Sequence, residues 1–224
     1  MVARKTYAAT TVLILFAALL TPSDVLGAYS IGFQSGGTWV NDITGKAVGD
    51  TVTVSVYFQA TEGELAVDGT KGLIGMGTLA NFDTALGDVT NSVVNAAEFV
   101  YQPKTAIDNT AGTLSYVGAV DLSDRNPRAG NKGSAIWLGD FSYRIDNPGV
   151  NVFKFGDLDK GQNEYTIFDD DTFDFIELDT ILFGTNLDIT YDLSITAVPE
   201  PSSMMLGLSA LAFGALVWQR RKRS

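Results

Sequence analysis

The chain has 224 residues, a formal net charge of −11, 46% hydrophobic content, and neither cysteine nor histidine. Disulfides, thiol nucleophiles, Ser-His-Asp triads, histidine general bases and ordinary zinc sites are therefore excluded. Setting aside Arg4, Lys5, Asp24, Glu200 and the four basic residues of the tail leaves 9 basic against 24 acidic residues over 29–197, a surface that repels phosphate backbones and argues against nucleic acid as a partner.

Residues 1–28 read as a secretory signal peptide. Arg4 and Lys5 make a positive start, and Val12 to Leu20 form an apolar run that is short for a membrane span. Pro22 breaks the run, and the small residues Gly27 and Ala28 suit cleavage after either of them. The competing reading is an uncleaved anchor.

From Tyr29 the pattern is one of strands. Val52, Val54, Val56 and Phe58 alternate with Thr51, Thr53, Ser55 and Tyr57, the period of a half-buried strand, and Gly49-Asp50 supplies the turn before it. The glycines between Gly72 and Asp83 predict a bulge or a close backbone approach inside a strand. Val93, Val94, Ala97 and Val100 recur at helical spacing and predict a short helix within Val89 to Val100. Further on, Trp137, Phe141, Tyr143 and Ile145 fall on one face of a strand and Asp140, Ser142 and Arg144 on the other, with Asn147-Pro148-Gly149 as a turn. Phe153 and Phe155 open another strand, and a last alternation runs from Leu187 through Ile189, Tyr191 and Leu193 to Ile195. Short alternating strands with turn residues between them predict an all-β fold, an antiparallel β-sandwich of about 170 residues spanning 29–197.

The order of these features resembles cohesin-like β-sandwich (jelly-roll type) domains. Val48-Gly-Asp-Thr-Val-Thr-Val54 is similar to their early strand, Gly77 to Asp83 with Leu86 to a second segment, and Leu138-Gly-Asp-Phe-Ser-Tyr-Arg144 to a later strand. Phe82 stands before Asp83 where that family has Tyr, and the stretch from Tyr101 to Gly133 is a long insertion. The resemblance implies a fold and no ligand.

Three kinds of chemistry have candidate residues. The region from Asp157 to Asp192 is acidic, and Asp157-Leu-Asp159 opens like a calcium loop but fails the EF-hand spacing, because Phe168 stands where a bidentate Glu belongs. If calcium binds, the expected ligands are Asp157, Asp159, Asn163, Asp169, Asp170 and Asp171; otherwise the region is a solvated acidic face and the protein takes no cofactor. Carboxylate pairs for glycoside hydrolysis have candidates in Glu62, Glu64, Glu98, Glu164 and Glu177, and no spacing selects two of them. Trp39 lies between Gly36-Gly37 and Asn41-Asp42 in a loop-like setting, which makes it the candidate glycan contact, whereas Trp137 is expected in the core.

The tail carries the most specific pattern. Val198-Pro199-Glu200-Pro201 precedes an apolar helix from Met204 to Trp218, and Arg220-Arg221-Lys222-Arg223 follows. Prolines hold the triplet extended, and the stretch from Ser203 to Trp218 is about 24 Å long as a helix, slightly short of the ~30 Å bilayer core. The basic cluster stays cytoplasmic and leaves the sandwich outside. The three parts in this order resemble the PEP-CTERM sorting signal of exopolysaccharide-producing Gram-negative bacteria. That resemblance assigns residues 198–224 to a sorting signal and makes Pro199, Glu200 and Pro201 the substrate of an exosortase-type membrane protease. The competing reading is a plain C-terminal anchor.

Together these readings predict a non-enzymatic exported protein, anchored in the membrane before tail processing and then placed at the cell envelope, outer surface or extracellular matrix. Its expected role is structural or interacting, linked to exopolysaccharide or other surface proteins. The alternatives are a carbohydrate- or calcium-dependent adhesion module and a carboxylate-dependent glycoside hydrolase.

Overall fold

A computed structural model describes residues 29–60, 65, 69–120 and 132–199. Alternation decides the first sheet. The strand Thr51–Ala60 (β4) buries Val52, Val54, Val56 and Phe58 and turns Thr51, Thr53, Ser55 and Tyr57 outward, as its sequence predicts. It lies between Tyr29–Ser35 (β1) and Ala135–Ile145 (β9). Thr38–Trp39 (β2) and Gly87–Val94 (β6) complete the order β2-β1-β4-β9-β6, every pair antiparallel.

The second sheet is built on the glycine-rich strand Lys71–Asn81 (β5). One edge of β5 pairs with Thr113–Ala119 (β8), which forms a hairpin with Tyr101–Asp108 (β7). Its other edge pairs with two strands in succession, Gly149–Asp157 (β10) opposite Thr78 to Asn81 and Thr166–Asp169 (β11) opposite Lys71 to Gly75. Residues 158–165 thus leave the edge of β5 and rejoin it further along. Asp174–Glu177 (β12) pairs with β11, Tyr191–Val198 (β13) pairs with β10, and Asp42–Ala47 (β3) closes the sheet through a parallel pairing with β13. The long insertion after Tyr101 contributes the β7–β8 hairpin, and 121–131 lie outside the described residues.

Aromatic rings fill the space between the sheets. Phe153 packs against Phe141 at 4.9 Å and against Phe82 and Tyr143 at 5.1 Å, and Phe33 meets Phe155 at 4.9 Å. The fold is an all-β sandwich dominated by antiparallel pairing.

Three sequence expectations change. The stretch from Val89 is strand β6 followed by a turn, with no helix. A register shift between Val89 and Asn91 displaces the later valines, so their spacing imitates a helix, and Val93 is 46% exposed. Asn95 then ends the strand by donating to Trp137 O, while Phe99 N–H donates to Asn95 O. The last strand begins only at Tyr191, because the short helix Asp179–Phe183 (α1) and a turn with Leu187 at φ 55° occupy the chain before it.

Trp137 is the third correction: it faces outward. Val56 pairs with Gly139 but Tyr57 pairs with Trp137, so Leu138 is an extra residue in β9 and the inward phase changes there. Ile136 and Leu138 are buried on one side of this bulge, Phe141, Tyr143 and Ile145 on the other. Trp137 Nε1 donates to Asp140 Oδ1 at 2.8 Å instead of packing inside.

Candidate functional site

The sandwich ends where the sorting pattern begins. Val198 closes β13, pairing with Ala47, and Pro199 is the last described residue. Glu200, Pro201, Met204, Trp218, Arg220, Arg221, Lys222 and Arg223 lie outside the described residues, as do 1–28. Among the described residues no helix is long and apolar enough to cross a membrane.

Within the acidic region the 158–165 excursion brings together carboxylates that the sequence keeps apart. Asp157 ends β10, Glu164 returns the chain toward β11, and Asp179 opens α1. One oxygen from each lies within 4.8 Å of the others. The strand beneath is made to receive them. A Cβ on Gly75 would stand 2.7 Å from the Glu164 carbonyl oxygen, and one on Gly77 would stand 2.4 Å from the Glu164 side chain. The glycine run of β5 is thus the predicted close approach, and Glu164 is what approaches.

The electrostatics follow from this packing. Asp179 is 1% exposed and accepts from the backbone N–H groups of Glu164 at 2.8 Å and Tyr165 at 3.1 Å. Both Asp157 oxygens and Glu164 Oε2 are closed off from solvent, and what Asp157 meets there is the Glu164 carboxyl and the Leu158 N–H. Burial first, then the charges of Asp157 and Asp179, push the Glu164 carboxyl up to about 8. Burial likewise raises Asp157 and brings Asp179 to about 6 against the pull of its two N–H donors. With its carboxyl raised to about 8, Glu164 holds its proton at neutral pH and bonds through it to Asp157.

The other expected calcium ligands sit in separate turns. Asp159 is exposed and accepts from Gly161 N–H at 3.0 Å, and Asn163 is exposed on the excursion. Asp169 accepts from Asp171 N–H, and Asp171 from the Thr70 hydroxyl, which fixes the β11–β12 turn that also contains Asp170. Of the candidate hydrolytic residues, Glu98 is exposed on another part of the fold, Glu177 is exposed beside the cluster, where its charge helps to raise Asp179, and Glu62 and Glu64 lie outside the described residues. Glu164 was a candidate without a selected partner, and nothing local in the sequence joins it to Asp157 and Asp179.

Trp39 is 44% exposed, as its loop-like setting predicts. Gly36 and Gly37, at φ 58° and 77°, make the two-residue turn that sets β2 against β1, and Trp39 pairs with Gln34. Its indole meets Tyr57 edge-on at 5.1 Å. Beside it opens a cleft of about 470 Å³ lined by Trp39, Asn41, Gln59, Thr190, Tyr191 and Asp192, with the edge of β1 as its wall.

Comparison with known proteins bears on the tail and on the architecture. The PEP-CTERM protein-sorting motif matches residues 197–222. No curated protein matches the chain. Similar solved structures include a cohesin from Clostridium acetobutylicum, 16% identical with a TM-score of 0.44, the match covering 77% of this chain and 92% of that one. A cohesin module from a family 33 glycoside hydrolase of Clostridium perfringens is 7% identical with a TM-score of 0.47, covering 78% and 99%. A cohesin–dockerin complex from Clostridium thermocellum is 10% identical with a TM-score of 0.46, covering 75% and 99%. The sandwich itself is established by its strand pairing. The chain carries a PEP-CTERM sorting motif, which marks it for export, for membrane anchoring before processing, and as a substrate of an exosortase-type enzyme.

Proposed function

We propose that this chain is a non-enzymatic interaction protein, delivered to the cell surface of a Gram-negative bacterium through its tail and held there in the extracellular polysaccharide matrix. The observation that carries the reading is the sorting motif at 197–222. An acidic sandwich with no cysteine or histidine is consistent with a binding rather than a catalytic domain. The carboxylate cluster supports the same view. Glycoside hydrolysis needs two carboxyl groups facing a sugar from opposite sides, whereas Asp157 and Glu164 belong to one close cluster in which the Asp157 oxygens and Glu164 Oε2 are closed off from solvent. The reading requires no cofactor.

Intact-mass analysis of the protein recovered from envelope, medium and secreted polysaccharide tests it. The expected species begins near Tyr29, ends near Pro199 to Pro201, and co-fractionates with the polysaccharide until the polymer is digested. A surface protein that retains Ser224 would make the tail an ordinary anchor, and one that never co-fractionates would remove the matrix from the proposal.

A further inference from the structure

We propose that the cleft beside Trp39 is a binding site for a neutral glycan, in which a pyranose ring packs on the indole and its hydroxyls are read by Gln59 and the open edge of β1. The proposal rests on the matrix reading for the class of ligand and on the cleft for everything else. At about 470 Å³ the space suits one or two sugar rings. Its lining combines an exposed aromatic ring with side-chain amides, a hydroxyl and a carboxylate, the set that recognises an apolar C–H face surrounded by hydroxyls.

Gln59 is placed deliberately. Its side chain lies across Gly32 on the neighbouring strand, where a Cβ would come within 2.5 Å of the amide carbon and oxygen. Ser30 Oγ donates to Gln59 Oε1 at 3.3 Å and fixes the amide's orientation. Gly32 therefore makes room for a side chain that has no role in the core.

The wall of the cleft adds backbone groups. β2 pairs with β1 only at Gln34 and Ser35, and Val40 N–H donates to Phe33 O just beyond. Alternation along β1 then turns the peptide groups of Ile31 toward the same edge, where no described strand pairs with them. Within the cleft the open backbone is that of Ile31, because Phe33 O is already taken by Val40, and so short an edge suits an added strand poorly. It is enough for sugar hydroxyls. Among the described residues no Lys or Arg lines the cleft and Asp192 does, so a uronic acid is disfavoured and a neutral ring is the fit.

The test uses the full-length chain in detergent, titrated with neutral polysaccharides (galactomannan and a β-glucan), with alginate as the acidic control and a strand-forming hexapeptide as the competing occupant. Neutral polymer is expected to bind and to change tryptophan fluorescence, and Trp39→Ala is expected to weaken binding about tenfold or more and remove that change. Gly32→Ala is the sharper variant. Only the end of a flexible side chain obstructs its methyl group, so it is expected to fold with an unchanged melting midpoint while displacing Gln59 and weakening binding about tenfold. Wild-type protein that ignores neutral polymers, prefers alginate or takes the hexapeptide there instead would overturn the assignment, as would Trp39→Ala and Gly32→Ala variants that bind normally. Co-fractionation in cells separates the two readings. If the protein stays in the matrix while Trp39→Ala binds neutral glycan in vitro as wild type does, the cleft assignment falls and the matrix reading stands; if wild-type protein is absent from the matrix but binds neutral glycan through Trp39 in vitro, the reverse holds.

Discussion

Each sheet of the sandwich departs from regularity on a central strand line, and the two departures have opposite results. In the first sheet a single extra residue at Leu138 in β9 turns a large aromatic ring, Trp137, out toward solvent. In the second, the 158–165 excursion between β10 and β11 turns charge inward, placing Glu164 on β5 with Asp157 and Asp179 around it. Length explains the contrast. A one-residue bulge can only exchange faces, because side chains alternate with period two. A longer excursion frees backbone donors from the ladder, and two of them, Glu164 N–H and Tyr165 N–H, are what Asp179 binds. Without such donors a buried carboxylate would be far costlier to hold.

The regular core between these departures sets the scale, so the largest expected effect is there. Phe153 is fully buried among Phe82, Phe141 and Tyr143, and Phe153→Ala is expected to cost about 3–5 kcal/mol, with a fall in the melting midpoint of about 10 °C or more. A loss under about 1 kcal/mol in chemical denaturation would mean the rings do not join the sheets as described. Next comes the seat of the excursion. Gly75→Ala drives a methyl group against the Glu164 carbonyl oxygen, 2.7 Å from the ideal Cβ, and the obstruction is backbone. The expected cost is about 1–3 kcal/mol. The same variant should weaken the pH response described below, whereas a Gly75→Ala protein of wild-type stability and pH profile would unseat Glu164 from β5.

How much of this could be read from the sequence depended on how local the cause was. β4 was legible because both of its neighbours pair with it over most of its length, so alternation meets burial directly. The tail was legible because its parts are contiguous. The glycines of β5 announced a close approach but not its partner, since Glu164 returns from a separate part of the chain. Val89 to Val100 misled for a physical reason: the shift near Thr90 breaks period two, and broken alternation can look like helical spacing. Trp137 misled in the same way, with the bulge hidden at Leu138. The Asp157–Glu164–Asp179 cluster had no signature, because an excursion and an unforeseen short helix, α1, are both needed to assemble it. Trp39 was legible as exposed, but Gln59 was not legible as its neighbour, because that depends on which strand lies beside β4.

The excursion should also give stability a distinctive pH dependence. Glu164 titrates near 8 in the fold against 4.5 for the free side chain, so between those values the native state holds a proton that the unfolded chain has released. Stability is then fully present below about pH 4.5 and falls as pH rises toward 8. Asp179 contributes with the same sign over a lower range, from 3.8 to about 6. Glu164→Gln supplies a permanent donor to Asp157 and removes the larger part of the slope. At pH 9 the variant is expected to melt about 2–4 °C above wild type, and at pH 4 the two should coincide. Parallel profiles would defeat the shared proton. Millimolar calcium at pH 7 is expected to leave both midpoints in place. A calcium-dependent rise in wild type that disappears in Glu164→Gln would put a cation where the proton is assigned.

The smallest expected effect tests the other departure. If the bulge at Leu138 turns Trp137 outward, Trp137→Phe loses one hydrogen bond, to Asp140 at 2.8 Å, on a half-buried ring. That is about 0.5–1 kcal/mol, or about 1–2 °C. If Trp137 instead pointed into the core, trimming its indole would open a cavity costing several times as much. Asp140→Asn separates the contributions, because its amide oxygen still accepts from Nε1 while the charge is gone. An Asp140→Asn protein as stable as wild type beside a slightly weakened Trp137→Phe would locate the effect in the hydrogen bond. A large loss on Trp137→Phe would mean that β9 has no bulge, and the contrast between the two sheets would vanish with it.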